Sequence, residues 1–219
     1  MSNKKNYSEL AKLKRSHLAI TNAEKDSRIS DPLKQIGVSA DVLGEGRNLH
    51  SNANDAYTEA NAAIKKRSEA YEDFRTKSKA TIKQFKIDRK KANIALLSDE
   101  VDRNKLELNK PVQQTRLKLF DMSKTFYTIL SENPELLEAL SKLGFTGEDI
   151  AARLEAVSEV EKAWANYMLE KGVSQNATNA KMKAIRKLSK WMTSFLAIAK
   201  EALKDEPQLV EALGIVVKN

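Results

Sequence analysis

The chain has 219 residues, of which 41% are hydrophobic and 31% charged, and its formal net charge is +8. That balance describes a globular chain rather than a disordered one, long enough to bury a core in one large domain or two small ones. No cysteine is present, which excludes a disulfide framework, a thiolate metal site and a cysteine nucleophile. Glycine (7) and proline (4) are scarce, so turns are few and elements long, and the abundant alanine, leucine, lysine and glutamate favour helix. The basic N-terminal stretch lacks the apolar segment of a secretory signal, and no apolar run approaches the ~20 residues of a membrane span. A soluble, cytoplasmic protein is expected.

In chain order, Leu10, Leu13, Ile20 and Ala23 recur at gaps of three and four, or sums of them, and predict a helix over residues 7–29. Ser30-Asp31-Pro32 is expected to stop it, followed by a short helical turn closed by Gly37. Ser39 suits a helix N-cap with Asp41 in the first turn. From there apolar positions continue without proline to about residue 109. One helix of that length would span roughly 105 Å, so a hairpin is expected near residues 65–72.

Pro111 marks the next break, and residues 112–130 read as a helix with Leu119, Phe120, Phe126 and Leu130 inward. Pro134 starts a short helix ended by Gly144. Thr146 and Asp149 have the spacing of a capping box, opening a helix to about residue 170. Residues 171–178, KGVSQNAT, read as a turn, which places Trp164 and Trp191 on opposite arms of a hairpin. A last long helix carries Ile185, Leu188, Met192 and Phe195, and Pro207 opens a closing short helix that leads to Gly214. No window alternates like a strand. The fold class is all-α.

Some of this is said twice. Ile36-Gly37-Val38-Ser39 matches Leu143-Gly144-Phe145-Thr146 at an offset of 107 residues, and Ala92 and Leu96 match Ala199 and Leu203. A proline-to-glycine motif occurs at Pro32–Gly37, Pro134–Gly144 and Pro207–Gly214. The expected architecture is an elongated helical bundle of two related halves, 1–109 and 110–219, packed as one domain. Each half is a long helix, a short proline-started helix and a long helical hairpin. The motif then acts as a lid: proline stops a helix, a short helix crosses the bundle end, and glycine turns the chain back.

Residues with chemistry are few. His17 and His50 are the only histidines, and Lys14 and Arg47 stand where a Glu-x-x-His di-metal motif needs glutamate. Phosphate-loop, dinucleotide and H-E-x-x-H motifs are missing. No catalytic, cofactor-binding or metal-binding residue, no cofactor and no small-molecule substrate is inferred. The most biased segment is 65–91, where eleven lysines and arginines face only Glu69, Glu72, Asp73 and Asp88. Lys77, Lys79, Lys83, Lys86, Lys90 and Lys91 are the candidate anion-binding residues, for nucleic acid or an acidic membrane surface. The six spread over more than half of a helix circumference, which argues against a single tight groove.

The ending carries Trp191, Phe195, Ile198 and Ala199, then Ala202, Leu203, Pro207 and Gly214. This W-x-x-x-F-x-x-I-A … P-Q-L-x-E-x-L-G-I-V-V pattern resembles the close of a group of bacterial all-helical proteins. The resemblance implies a stable, stand-alone helical module and no activity. The expected role is a non-enzymatic structural or protein-interaction bundle, whose partner is another protein or a second copy of itself. Binding of an anionic surface through the basic helix is the alternative.

Overall fold

The computed structural model describes residues 8–112 and 115–214, so Tyr7 and the Ile215-Val216-Val217 ending lie outside the described residues. Eight helices and no strand occur among them: α1 (Glu9–Lys25), α2 (Ser27–Gln35), α3 (Ala40–Ala95), α4 (Glu100–Lys105), α5 (Arg116–Glu132), α6 (Pro134–Ser141), α7 (Gly147–Ala202) and α8 (Pro207–Ala212). The bounds recur at an offset of 107 residues. Glu9 and Arg116 open α1 and α5, Ser27 and Pro134 open α2 and α6, Ala40 and Gly147 open α3 and α7, and Glu100 and Pro207 open α4 and α8.

Two expected turns are absent. α3 continues through residues 65–72 and α7 through 171–178, each as one helix of 56 residues. Neither a long hairpin nor opposite arms for Trp164 and Trp191 exist. The reason is a stripe of covered positions spaced by threes, fours and their sums: Ala53, Ala60, Ala63, Ala70 and Phe74 along α3, and Val160, Ala163, Ser174, Lys181, Ile185 and Leu188 along α7, with half-buried Tyr167 and Glu170 between Ala163 and Ser174. A helix whose every turn has a covered position gains more from continuing than weak propensity at Gly172 or Asn176 costs.

Contacts divide the chain into two compact units, Met1–Ile64 with Val173–Asn219, and Lys65–Gly172. Neither coincides with the 1–109 and 110–219 halves, since each takes part of both. In the first unit α1, α2, the N-terminal part of α3, the C-terminal part of α7 and α8 enclose Leu13, Ile20, Ile29, Leu33, Leu188 and Phe195. In the second, α5, α6, the N-terminal part of α7, the C-terminal part of α3 and the α4 region enclose Phe85, Leu106, Phe126, Leu130, Leu140 and Val157. The cores correspond position by position at the same offset. Ile29, Leu33, Val38 and Leu43 match Leu136, Leu140, Phe145 and Ile150, and all eight are buried. Within each unit the long helices run antiparallel. The facing pairs Gly46 and Trp191, then Tyr57 and Lys181, in the first unit, and Phe74 and Trp164, then Lys77 and Glu159, in the second, rise in number on one helix as they fall on the other.

The first helix stops earlier than expected. Asp26, not Pro32, breaks it, because the Asp26 carboxylate accepts the backbone N–H of Arg28 at 3.0 Å and caps α2. Pro32 therefore lies inside α2, and the three proline motifs are not one motif. Pro134 and Pro207 do open their helices. Gly37, Gly144 and Gly214 all have positive φ, at 88°, 80° and 75°, and each turns the chain back at the end of a short helix. At Gly37 the bonds from Val38 N–H to the Leu33 carbonyl and from Gly37 N–H to the Lys34 carbonyl, both 3.0 Å, form a Schellman turn. Leu136 is buried under α6, whereas under α8 Val210 and Leu213 are buried and Leu209 is only half-covered.

Candidate functional site

The basic segment lies on α3 in the second unit, and its lysines differ in what they touch. Phe74, Ser78, Thr81, Phe85, Asp88, Ala92 and Leu96 form the inward stripe. Lys77 sits on the flank toward α7, 3.1 Å from Asp73 and 3.6 Å from Glu159, and these hydrogen bonds and charges, Asp73 first, raise its pKa. Lys91, also on a flank, donates to the Leu143 carbonyl at 3.1 Å and lies 6.0 Å from the Phe145 ring centre. Two of the six candidates thus hold α3 to its neighbours.

The other four, Lys79, Lys83, Lys86 and Lys90, are exposed, as Lys91 also is. At steps of four, three and four they share one narrow stripe of the helix, opposite the core. The expected dispersal over half the circumference arises only when Lys77 and Lys91 are included. Ile87 and Ile94 border the stripe, and both are exposed, as are Leu97 just past the helix end and Val101 in α4. Sequence reading missed these aliphatic residues, because spacing alone cannot tell an inward Ile from an outward one when both flank a lysine.

Beneath this face lies a buried polar cluster that sequence reading also missed. The Asp88 carboxylate accepts from Tyr127 Oη at 2.9 Å, Gln84 Nε2 at 2.9 Å and Arg153 Nε at 3.2 Å. Burial, reinforced by the Asp88 charge, pushes the Tyr127 hydroxyl well above the usual phenol range, so it stays protonated and donates. A pocket of about 230 Å³ beside the cluster is lined by Thr81, Gln84, Tyr127 and Arg153. Next along the helix, buried Arg89 donates to the carbonyls of Glu107 at 2.9 Å, Leu108 at 3.1 Å and Lys110 at 2.7 Å. Desolvation lowers its pKa. Its guanidinium thereby ties the segment that leaves α4, residues 107–110, to α3.

The first unit fills the corresponding place differently. At the 107-residue offset Gln84, Asp88 and Tyr127 correspond to Trp191, Phe195 and Ile20, and Arg153 to Gly46. Trp191 stacks on Phe195 with ring centres 5.0 Å apart and planes at 10°. A side chain at position 46 would overlap the Trp191 ring, so glycine is required inside α3 there. One unit thus has an apolar stack where the other has a polar network.

His17 and His50 face each other in the first unit, with ring centres 5.2 Å apart, beside a pocket of about 270 Å³ that includes Glu24 and Arg47. Burial, and then the charge of His17, lower the His50 pKa. Among the described residues no group of three or more His, Cys, Asp or Glu side chains is placed to hold a metal ion, and no helix is long and apolar enough to cross a membrane.

Comparison with protein-family models, with curated proteins and with solved structures gives no match for this chain.

Proposed function

We propose that the chain is a non-enzymatic helical interaction module, built by internal duplication, and that the outer face of α3 from Lys79 to Ile94, with Leu97 just past its end, is its contact surface. The observation that carries this reading is the lysine stripe bordered by exposed Ile87 and Ile94. Exposed aliphatic side chains also occur elsewhere, as at Leu18 and Leu169, but here two lie seven residues apart on one helix along a stripe of four lysines. The polar cluster supports scaffolding rather than catalysis, because Asp88, Tyr127 and Arg153 hold one another and their counterparts Phe195, Ile20 and Gly46 are apolar packing. Self-association through this face would press four like charges against their copies, so a partner of opposite charge fits it better. The absence of cysteine and the resemblance of the ending to bacterial helical modules fit a cytoplasmic role.

Retention of the full chain on an immobilised polyanion tests the reading, beside a variant carrying Lys79→Gln, Lys83→Gln, Lys86→Gln and Lys90→Gln. Retention should weaken with salt, with a slope near −4 in log K against log salt if four contacts form, and the variant should lose it. A chain that passes unretained at low salt and elutes as a dimer would instead support self-association.

A further inference from the structure

We infer that the partner of this face is an anionic lipid bilayer, with Lys79, Lys83, Lys86 and Lys90 on the headgroups and Ile87, Ile94, Leu97 and Val101 entering the acyl boundary. The inference rests on the reading of the face as an interaction surface, and it names what that surface meets.

Three observations favour lipid. The first is the pairing of charge with exposed aliphatic area. Ile87, Ile94, Leu97 and Val101 are 42%, 63%, 76% and 66% exposed, and the last three follow one another from the end of α3 into α4. Phosphates of a nucleic acid would satisfy the lysines but leave these side chains wet, whereas a bilayer surface takes both. The second is an internal comparison. At the 107-residue offset the four aliphatic positions are Ser194, Glu201, Lys204 and Gln208, and Lys86 and Lys90 become Thr193 and Ala197. The same architecture therefore folds with polar residues there, so packing does not demand the aliphatic ones. The third is the local charge. Between positions 79 and 97 the only acid is Asp88, which is buried and occupied by Tyr127, Gln84 and Arg153. At the rim Asp102 pairs with Lys105 at 2.7 Å, and Asp99, which accepts the Asp102 N–H at 3.0 Å, and Glu100 leave two negative charges near Val101 against the four lysines.

The test is co-sedimentation of the full chain with vesicles of phosphatidylcholine alone or with about one-third phosphatidylserine, with binding to a duplex DNA measured in parallel. The wild-type chain should sediment with the anionic vesicles and not the neutral ones. The four-lysine variant should lose affinity by a factor on the order of several hundred, about fivefold per lysine. Ile94→Ser combined with Leu97→Ser should lower vesicle affinity about tenfold or more. Because the chain has no cysteine, Leu97→Cys provides a single labelling site. An environment-sensitive dye placed there should report transfer to an apolar medium on anionic vesicles, and it does so even if the serine variant fails to fold. An unchanged dye signal, or equal binding to neutral vesicles, overturns the inference. So does DNA binding that the serine substitutions leave intact without vesicle binding, which would assign the face to nucleic acid. Retention on the polyanion without vesicle binding overturns the lipid partner but leaves the interaction reading standing, and no binding to either sinks both.

Discussion

Glu107 and Gly214 stand 107 residues apart at the ends of the short helices α4 and α8, and both adopt the left-handed backbone, at φ 54° and 75°. Glu107 is the only non-glycine residue with positive φ among the described residues. Buried Leu106 and Leu213 precede them, and each turn is held by side chains bonded to its carbonyls. Arg89 binds the Glu107 carbonyl, Asn22 binds that of Ala212 at 2.7 Å, and Arg15 binds that of Gly214.

A left-handed residue with a Cβ costs about 1–2 kcal/mol, part of which glycine gives back through unfolded-chain entropy. Glu107→Gly should therefore raise stability by about 0.5–1 kcal/mol. The exposed Glu107–Lys110 ion pair that it removes contributes little. Chemical denaturation measures this, and a loss of stability would mean the glutamate side chain matters more than the backbone.

Asp88 holds three donors, so Asp88→Ala strands the Tyr127 hydroxyl and should cost about 2–4 kcal/mol. Replacing the whole network by the residues of the first unit, Gln84→Trp, Asp88→Phe, Tyr127→Ile and Arg153→Gly, should recover most of that loss. Well-packed apolar groups often match or exceed a buried polar network in stability. Equal destabilisation by the single and the fourfold change would refute the correspondence between the two sites.

Phe195 is buried and stacked on Trp191. Phe195→Ala should cost about 3–5 kcal/mol, and half-exposed Trp191→Ala less. Gly46→Ala drives a methyl into the indole and should cost about 1–3 kcal/mol. Gly172→Ala meets nothing within 4 Å in a helix interior and should instead stabilise by about 0.5–1 kcal/mol. Thermal unfolding of the two alanine variants should shift in opposite directions.

His50 supplies a pH dependence. Its folded-state pKa lies below the ordinary histidine value, so on acidification the unfolded chain takes up this proton first. The stability that neutral His50 confers is complete above the ordinary value and is lost as pH falls from there through the lowered one. His50→Gln should flatten this part of the stability profile measured by denaturation between neutral and mildly acidic pH. An unchanged slope would place the titration elsewhere.

Sequence alone carried the helical class, the 107-residue echo, the helix starts at Pro134, Thr146 and Pro207, and the turns at Gly37, Gly144 and Gly214. These are local matters: a proline without an N–H, a hydroxyl three residues from a carboxylate, and a glycine at positive φ act through neighbours along the chain. The identity of the basic helix was legible for the same reason, as a run of charges.

Only tertiary structure decided the rest. Residues 65–72 and 171–178 remain helical because Ala63, Ala70 and Ser174 are covered by packing, and a small residue does not announce its burial in sequence. The units interleave the halves because the end of α7 meets the start of α3, a pairing of residues more than a hundred positions apart. Lys77 and Lys91 leave the candidate surface, and Lys79, Lys83, Lys86 and Lys90 become one stripe, only once the inward side of α3 is known. Helical periodicity spaces side chains evenly round the axis, and it is the partner packed against one side that makes the opposite side a surface.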